Sequence, residues 1–196
     1  MTTNESDVKS RILLAAKKLF ASQGFDGTTV RQICEEAGGA NVALISYHFG
    51  GKENMFAALF DAYFPSQQFA NVDKDLPPLD GVKLVISEVS KFRYSDPELV
   101  QIIQYEILLN TSRIDKIRYY VMPLWQALRK WLEAGREQGV FQFNSVDLTV
   151  YSIAGVLLFN RNSEYWQAIR SEGPHTLEYT IEEMTHFILG GLQVKL

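Results

Sequence analysis

Apolar side chains recur along this chain at intervals of three and four, the spacing that lines one face of an α-helix. Sustained period-2 alternation is absent, and no Asn-Gly or Asp-Gly pair is flanked by two strand-like runs as a hairpin turn would be. The stripe Ile12, Ala16, Leu19 and Phe20 predicts a first helix from about Ser6 to Gln23, with Gly24 as its stop. Thr29 and Gln32 have the spacing of a capping box. A short second helix therefore starts at Thr29, turns Val30, Ile33, Cys34 and Ala37 inward, and ends at Gly38-Gly39. Asn41 can cap a third helix running through Tyr47 or His48, and Lys52 opens a fourth, KENMFAALFDAYF, halted by Pro65. Residues 65–80 hold three prolines and two Asn/Asp-rich turns, which predict a loop or hinge. Further helices are expected over 80–94, 97–110 (Asp96 as cap, Pro97 in the first position), 114–138, 146–160 and 175–193. The chain reads as all-α with about nine helices. A helix-turn-helix head of three helices occupies residues 1–55, and a helical body occupies 56–196.

Composition changes this picture little. The 196 residues are 46% hydrophobic and 12% aromatic, ample for a core and a cavity. One cysteine, Cys34, excludes a disulfide within the chain, and on its inward stripe it reads as a small core residue. The polar start MTTNESDVKSR has no signal-peptide run, and the apolar runs are too short to span a membrane, so a cytoplasmic protein is expected. Charge matters more. A net charge of −4 argues against a nucleic-acid partner, because phosphate binding is driven by Lys and Arg. The distribution softens that objection: residues 1–55 carry six basic and six acidic side chains, and the whole deficit lies in 56–196. A neutral head on an acidic body can still bind DNA through a few well-placed cations.

The segment Gly24–Phe56 is the informative one. Two short helices joined by a glycine turn meet the physical requirement of a helix-turn-helix, in which the first braces and the second faces the major groove. On a helical wheel Val42, Ile45 and Phe49 point inward, while Ala43, Leu44, Tyr47 and His48 point outward with Ser46 near the edge. An outward face bearing Leu44, Tyr47 and His48 suits a partner better than solvent. Arg31 is the outer-face residue able to grip guanine with two hydrogen bonds, and Ala43 and Leu44 offer only carbon, suited to thymine methyl groups. Tyr47, His48 and Lys52 carry donors suited to phosphate oxygens. Arg31 could equally bridge Glu35 one turn on.

The run T-T-V-R-Q-I, a glycine turn, and N-V-A-L-I-S-Y-H-F-G-G-K-E resembles the signature of the TetR family of repressors over roughly residues 8–60. The resemblance implies a dimeric operator-binding protein with an effector pocket in the body. Position by position, it assigns Thr29 and Arg31 to DNA contact, Val42, Ala43, Leu44 and Ser46 to the base-facing surface, and Tyr47, His48 and Lys52 to phosphates. The turn Ala37-Gly38-Gly39-Ala40-Asn41 is one residue longer than the family's common pattern, so a base contact from Asn41 does not carry over.

In the body, Phe92, Tyr105, Tyr119, Tyr120, Trp125 and Phe159 would suit an apolar or flat effector, although each could be plain core. Two late stripes, one with Val150, Ile153, Ala154 and Leu157 and the other with Ile181, Met184, Ile188 and Leu192, could bury against their own chain. The resemblance implies instead that they join a second subunit in a four-helix bundle. Glu182 and His186 make at most half a metal site, and no nucleophile–base pair, glycine-rich phosphate loop or HExxH is present. The expectation is a non-enzymatic, cofactor-free, homodimeric regulator of a pseudo-palindromic operator, released by a small ligand. The alternative is a DNA-binding protein whose body recruits another protein.

Overall fold

The computed structural model describes residues 2–65, 75–159 and 164–194. Among these residues it is all-α, with nine α-helices and one 3-10 helix and no strand. The helices are α1 (Thr2–Gly27), α2 (Val30–Glu36), α3 (Val42–Phe49), α4 (Lys52–Tyr63), α5 (Pro78–Ser95), α6 (Pro97–Leu109), α7 (Ile114–Glu137), α8 (Val146–Leu158) and α9 (Leu177–Gly191). The 3-10 helix, Glu164–Ile169, follows α8 and has no counterpart among the sequence expectations. Most of the hinge expected over 65–80 lies outside the described residues, and its last three residues form the first turn of α5.

Packing divides the chain into two units. The first takes the described residues of 1–66 and 96–120, and the second takes those of 67–95 and 121–196. A boundary after residue 55 would fall inside α4, whose Met55, Phe56, Leu59 and Phe60 are all buried. Helices as short as α2 and α3 gain their stability from packing rather than from propensity. The first unit accordingly recruits two later elements, α6 and the start of α7.

In the first unit α1 packs along α6, α2 and α4, and α3 packs on α2 and α4. α1 kinks at Gly24 (φ 75, ψ 166), where the stop was expected, and the kink delivers Phe25 into the core. Phe20, Phe25, Phe56, Phe60 and Tyr120 then follow one another at ring-centroid separations of 5.1, 5.5, 5.2 and 5.6 Å. Lys17, buried on α1, pairs at 2.8 Å with Asp96, whose other oxygen caps α6 through the Leu99 amide.

In the second unit α5 packs on α8 and α9, and α8 on α9. Gly81 of α5 lies against the Trp131 ring so closely that a Cβ would collide with it. Arg93 donates to the Leu158 and Phe159 carbonyls at 2.7 and 2.9 Å, closing the C-terminal end of α8. All three tryptophans, Trp125, Trp131 and Trp166, belong to this unit. No helix among the described residues is long and apolar enough to cross a membrane.

Candidate nucleic-acid interface

The geometry of α2 and α3 follows from local chemistry. Thr29 caps α2 with the reciprocal bonds of a capping box: the Gln32 amide donates to Thr29 Oγ1 at 3.2 Å, and the Thr29 amide donates to Gln32 Oε1 at 2.8 Å. Gly38 and Gly39 then take φ values of 87° and 81°, in the left-handed region that glycine enters without Cβ strain. Asn41 caps α3 by accepting from the Ala43 amide at 2.8 Å, and Gly50, again left-handed, ends the helix. Asn41 is therefore a structural cap, the role its pattern predicts.

Between these caps, Ile45 and Phe49 anchor α3 in the core. Ala43, Ser46 and Tyr47 are exposed and Leu44 and His48 are half-buried. Tyr47 is 73% exposed and its ring meets His48 edge-on at 4.9 Å. Val42, expected to turn inward, is 50% exposed, because it occupies the first turn, ahead of the point where α3 meets α2 and α4. Thr29 and Arg31 are exposed on α2, and Arg31 Nε donates to Glu35 at 3.2 Å, the i,i+4 pair weighed from the sequence.

Lys52 departs from its expected place among the phosphate donors. Its ammonium donates to the Phe25 and Thr28 carbonyls at 3.0 and 2.8 Å and lies 4.2 Å from the centre of the Phe25 ring. The Phe25 carbonyl, in the last turn of α1, also accepts from the Thr28 amide at 3.1 Å, and Lys52 adds a charged donor at this corner. Its side chain ties α4 to the α1–α2 corner instead of reaching outward.

Two residues absent from the sequence reading adjoin this surface. Lys9 of α1 places its ammonium 5.7 Å from the Phe49 ring, at the end of α3. Arg113 stacks 3.9 Å over Phe25 and pairs with Glu106 at 2.9 Å, Asp26 at 3.2 Å and Glu53 at 3.6 Å. It thus joins α1, α4 and α6 through one guanidinium. No sequence signal marks Arg113, since its partners Asp26 and Glu53 are distant in the chain. Lys9 would have required the rotation of α1 about its axis to be known.

Comparison with known proteins agrees with this geometry. Residues 12–59 match the family described as bacterial regulatory proteins, tetR family. The chain is 28% identical over 161 residues to the HTH-type transcriptional repressor NicS of Pseudomonas putida, covering 79% of this chain and 76% of that one. It is 47% identical over 51 residues to the repressor AcnR of Corynebacterium glutamicum, 26% of this chain and 27% of AcnR. The crystal structure of HlyIIR, a hemolysin II transcriptional regulator, superposes with a TM-score of 0.72 at 27% identity, covering 92% of this chain and 98% of that one. The head of the chain, residues 12–59, carries the TetR-family signature, and the chain along most of its length is similar to transcriptional regulators of that kind. It is a DNA-binding transcriptional regulator and not an enzyme.

The body of this chain differs from expectation in two respects. Tyr105, Tyr119 and Tyr120 belong to the first unit, and Phe92, Trp125 and Phe159 to the second. Tyr120 is buried on Phe60 and its hydroxyl donates to Asp61, while Tyr119 is exposed. Tyr105 accepts from Gln101 at 3.3 Å, and Phe159 packs on Trp166 at 5.1 Å. Tyr120 fills core, Tyr119 and Phe159 are exposed, and Phe92, Tyr105 and Trp125 are half-buried; none lines either of the two clefts of the second unit. The first cleft, about 720 Å³, lies among Arg93, Tyr94, Arg170 and His175. The second, about 410 Å³, opens between α8 and α9 beside Leu148, Val156, Phe187 and Gly191.

The second correction concerns the late stripes. Ile153, Leu157, Ile188 and Leu192 are buried within their own chain, and Val150, Ala154, Ile181 and Met184 are half-buried. The periodicity located the inward face of α8 and α9, since the strongest apolar stripe is the one a helix turns to its own core. Leu148, Tyr151 and Phe187 form the outward face with Gly155, Gly190 and Gly191. A Cβ on any of these three glycines would meet nothing within 4 Å.

Among the described residues no cluster of His, Cys, Asp or Glu could hold a metal ion, and Glu182 and His186 are exposed on α9. Cys34 is buried, and burial, then the nearby Glu35, pushes its thiol up from the ordinary range.

Proposed function

We propose that the chain is a homodimeric repressor that reads a pseudo-palindromic operator through α3 and is released by a small ligand held in its body. One observation carries the DNA half: α3, capped at both ends, presents Val42, Ala43, Leu44, Ser46, Tyr47 and His48 outward beside Thr29 and Arg31. A solvated helix has no use for exposed Val and Tyr on that face. Base edges with thymine methyls, flanked by phosphates, complement it. Arg31 would leave Glu35 for guanine at little cost, because an exposed i,i+4 pair contributes only about 0.3–0.5 kcal/mol. Lys52 supports this surface from behind.

The dimer half is supported by the outward face of α8 and α9, where a second copy would cover Leu148, Tyr151 and Phe187. The three glycines allow helices to approach closely there. Two such heads would read half-sites about 34–36 Å apart.

The test is selection of bound sequences from random duplexes, followed by footprinting. The reading expects a two-fold symmetric site, and an unselected pool after repeated rounds overturns it. A second reading, in which the chain recruits a protein partner instead of sensing a ligand, is favoured by Ile107, Leu108 and Leu109, consecutive apolar residues left exposed at the end of α6. Release of the selected duplex by a metabolite extract passed through a small-pore filter supports ligand sensing over recruitment.

A further inference from the structure

We propose that Lys9, on α1, is a DNA-backbone contact whose ammonium takes a phosphate oxygen beside the bases that α3 faces; this rests on the DNA-binding reading above. The sequence gives residues 1–55 six basic side chains, and the structure engages five of them. Arg11 pairs with Asp7 at 3.3 Å and Arg31 with Glu35 at 3.2 Å. Lys17 is buried against Asp96, and Lys18 is held by Glu36, whose hydrogen bond raises the lysine's pKa. Lys52 directs its protons to two carbonyls.

Lys9 is different. It is exposed, and among the described side chains it meets no anion and no hydrogen-bond acceptor; its recorded contact is the face of Phe49. An aromatic face attracts an ammonium without neutralising it, so the full charge stays available. Phe49 is the last residue of α3 and directly follows Tyr47 and His48, the two side chains read as phosphate donors. In helix-turn-helix complexes the recognition helix reads bases from its N-terminal part, while the motif's other helix, here α2, crosses the sugar–phosphate backbone. A cation on α1 beside the C-terminal end of α3 lies away from that base-reading end, and therefore meets the backbone and not the base edges. On a head with as many acidic as basic groups, one ammonium that pairs with no described carboxylate is a large share of the attraction for polyanions.

The contact is independent of base sequence, so a generic duplex tests it. The probe is a fluorescent duplex of mixed sequence about three helical turns long, titrated by anisotropy across roughly 50–200 mM salt. Lys9→Gln is expected to make the slope of log affinity against log salt shallower by about 0.9 per bound protomer. Lys9→Met, which keeps an apolar stem over Phe49, should lose the same amount, and Lys9→Arg should keep the wild-type slope. Lys130→Gln, an equal change of net charge in the other unit, should match the wild type. An unaltered slope in Lys9→Gln, or an equal loss in Lys130→Gln, overturns the proposal while leaving the DNA-binding reading intact. A wild-type chain indifferent to the duplex at the lowest salt overturns both.

Discussion

Arg113 holds three carboxylates and two aromatic rings with a side chain that is only 10% exposed, and Glu106 beneath it is more buried still. Removing one partner of such a pair leaves a charge stranded in a poor dielectric, so Arg113→Ala should lower stability by about 3–5 kcal/mol in urea unfolding. Arg113→Lys keeps the charge but loses the flat stack and the forked donors, and should fall in between. A loss from Arg113→Ala no larger than that of an exposed ion pair would contradict this account. Tyr120 makes a different prediction. Burial first, then its bond to Asp61, lifts the phenol above its ordinary value of 10.0. The unfolded chain ionises this tyrosine earlier than the folded one does. The stabilisation is therefore complete below about pH 10 and is lost as pH rises beyond it. Tyr120→Phe should flatten this alkaline limb in unfolding curves taken at successive pH values. An absorbance titration should show one of the nine tyrosines ionising late.

Helices were legible where their ends carry chemistry. Thr29 with Gln32, Asn41, and Asp96 before Pro97 each announced a helix start, and each is a cap in the structure. These signals are local, depending on residues two or three apart. The 3-10 helix Glu164–Ile169 has no such marker and was missed. Faces were read less surely. An apolar stripe says which side of a helix is buried but not by what: of the stripes of α8 and α9 assigned to a partner, their own chain buries Ile153, Leu157, Ile188 and Leu192 and leaves the other four half-buried. The turn between α2 and α3 supports a prediction on this scale. Gly39 sits at φ 81° with nothing within 4 Å of a Cβ, so Gly39→Ala introduces backbone strain without a clash. The cost should be about 1–2 kcal/mol, read as a lower thermal midpoint, and duplex affinity should fall with it as α3 is re-aimed. A variant as stable as the parent would mean that the turn tolerates another conformation.

For the molecule as a whole, the family and the all-α class were visible in the sequence, because the motif is contiguous and the periodicity runs the length of the chain. The division into units was not. A single pass along the chain cannot see that α6 and the first turns of α7 return to complete the core around α1 and α4. The same blindness scattered the expected pocket aromatics between two units. Assembly gives the prediction at this scale. Phe187→Glu puts a charge on the outward face of α9, where the wild-type residue is 65% exposed. Sedimentation equilibrium should show the variant shifted to monomer with its helical content retained. A dimer of undiminished strength would move the interface elsewhere.

The unit that carries the recognition helix contains no tryptophan, whereas the other contains all three. Excited near 295 nm, where indole absorbs almost alone, the native chain emits only from its body. A change of intensity or colour when duplex is added must then arise in the body, so an unlabelled cuvette measurement would register long-range communication directly. A single tryptophan placed on the bare head would add the missing second channel.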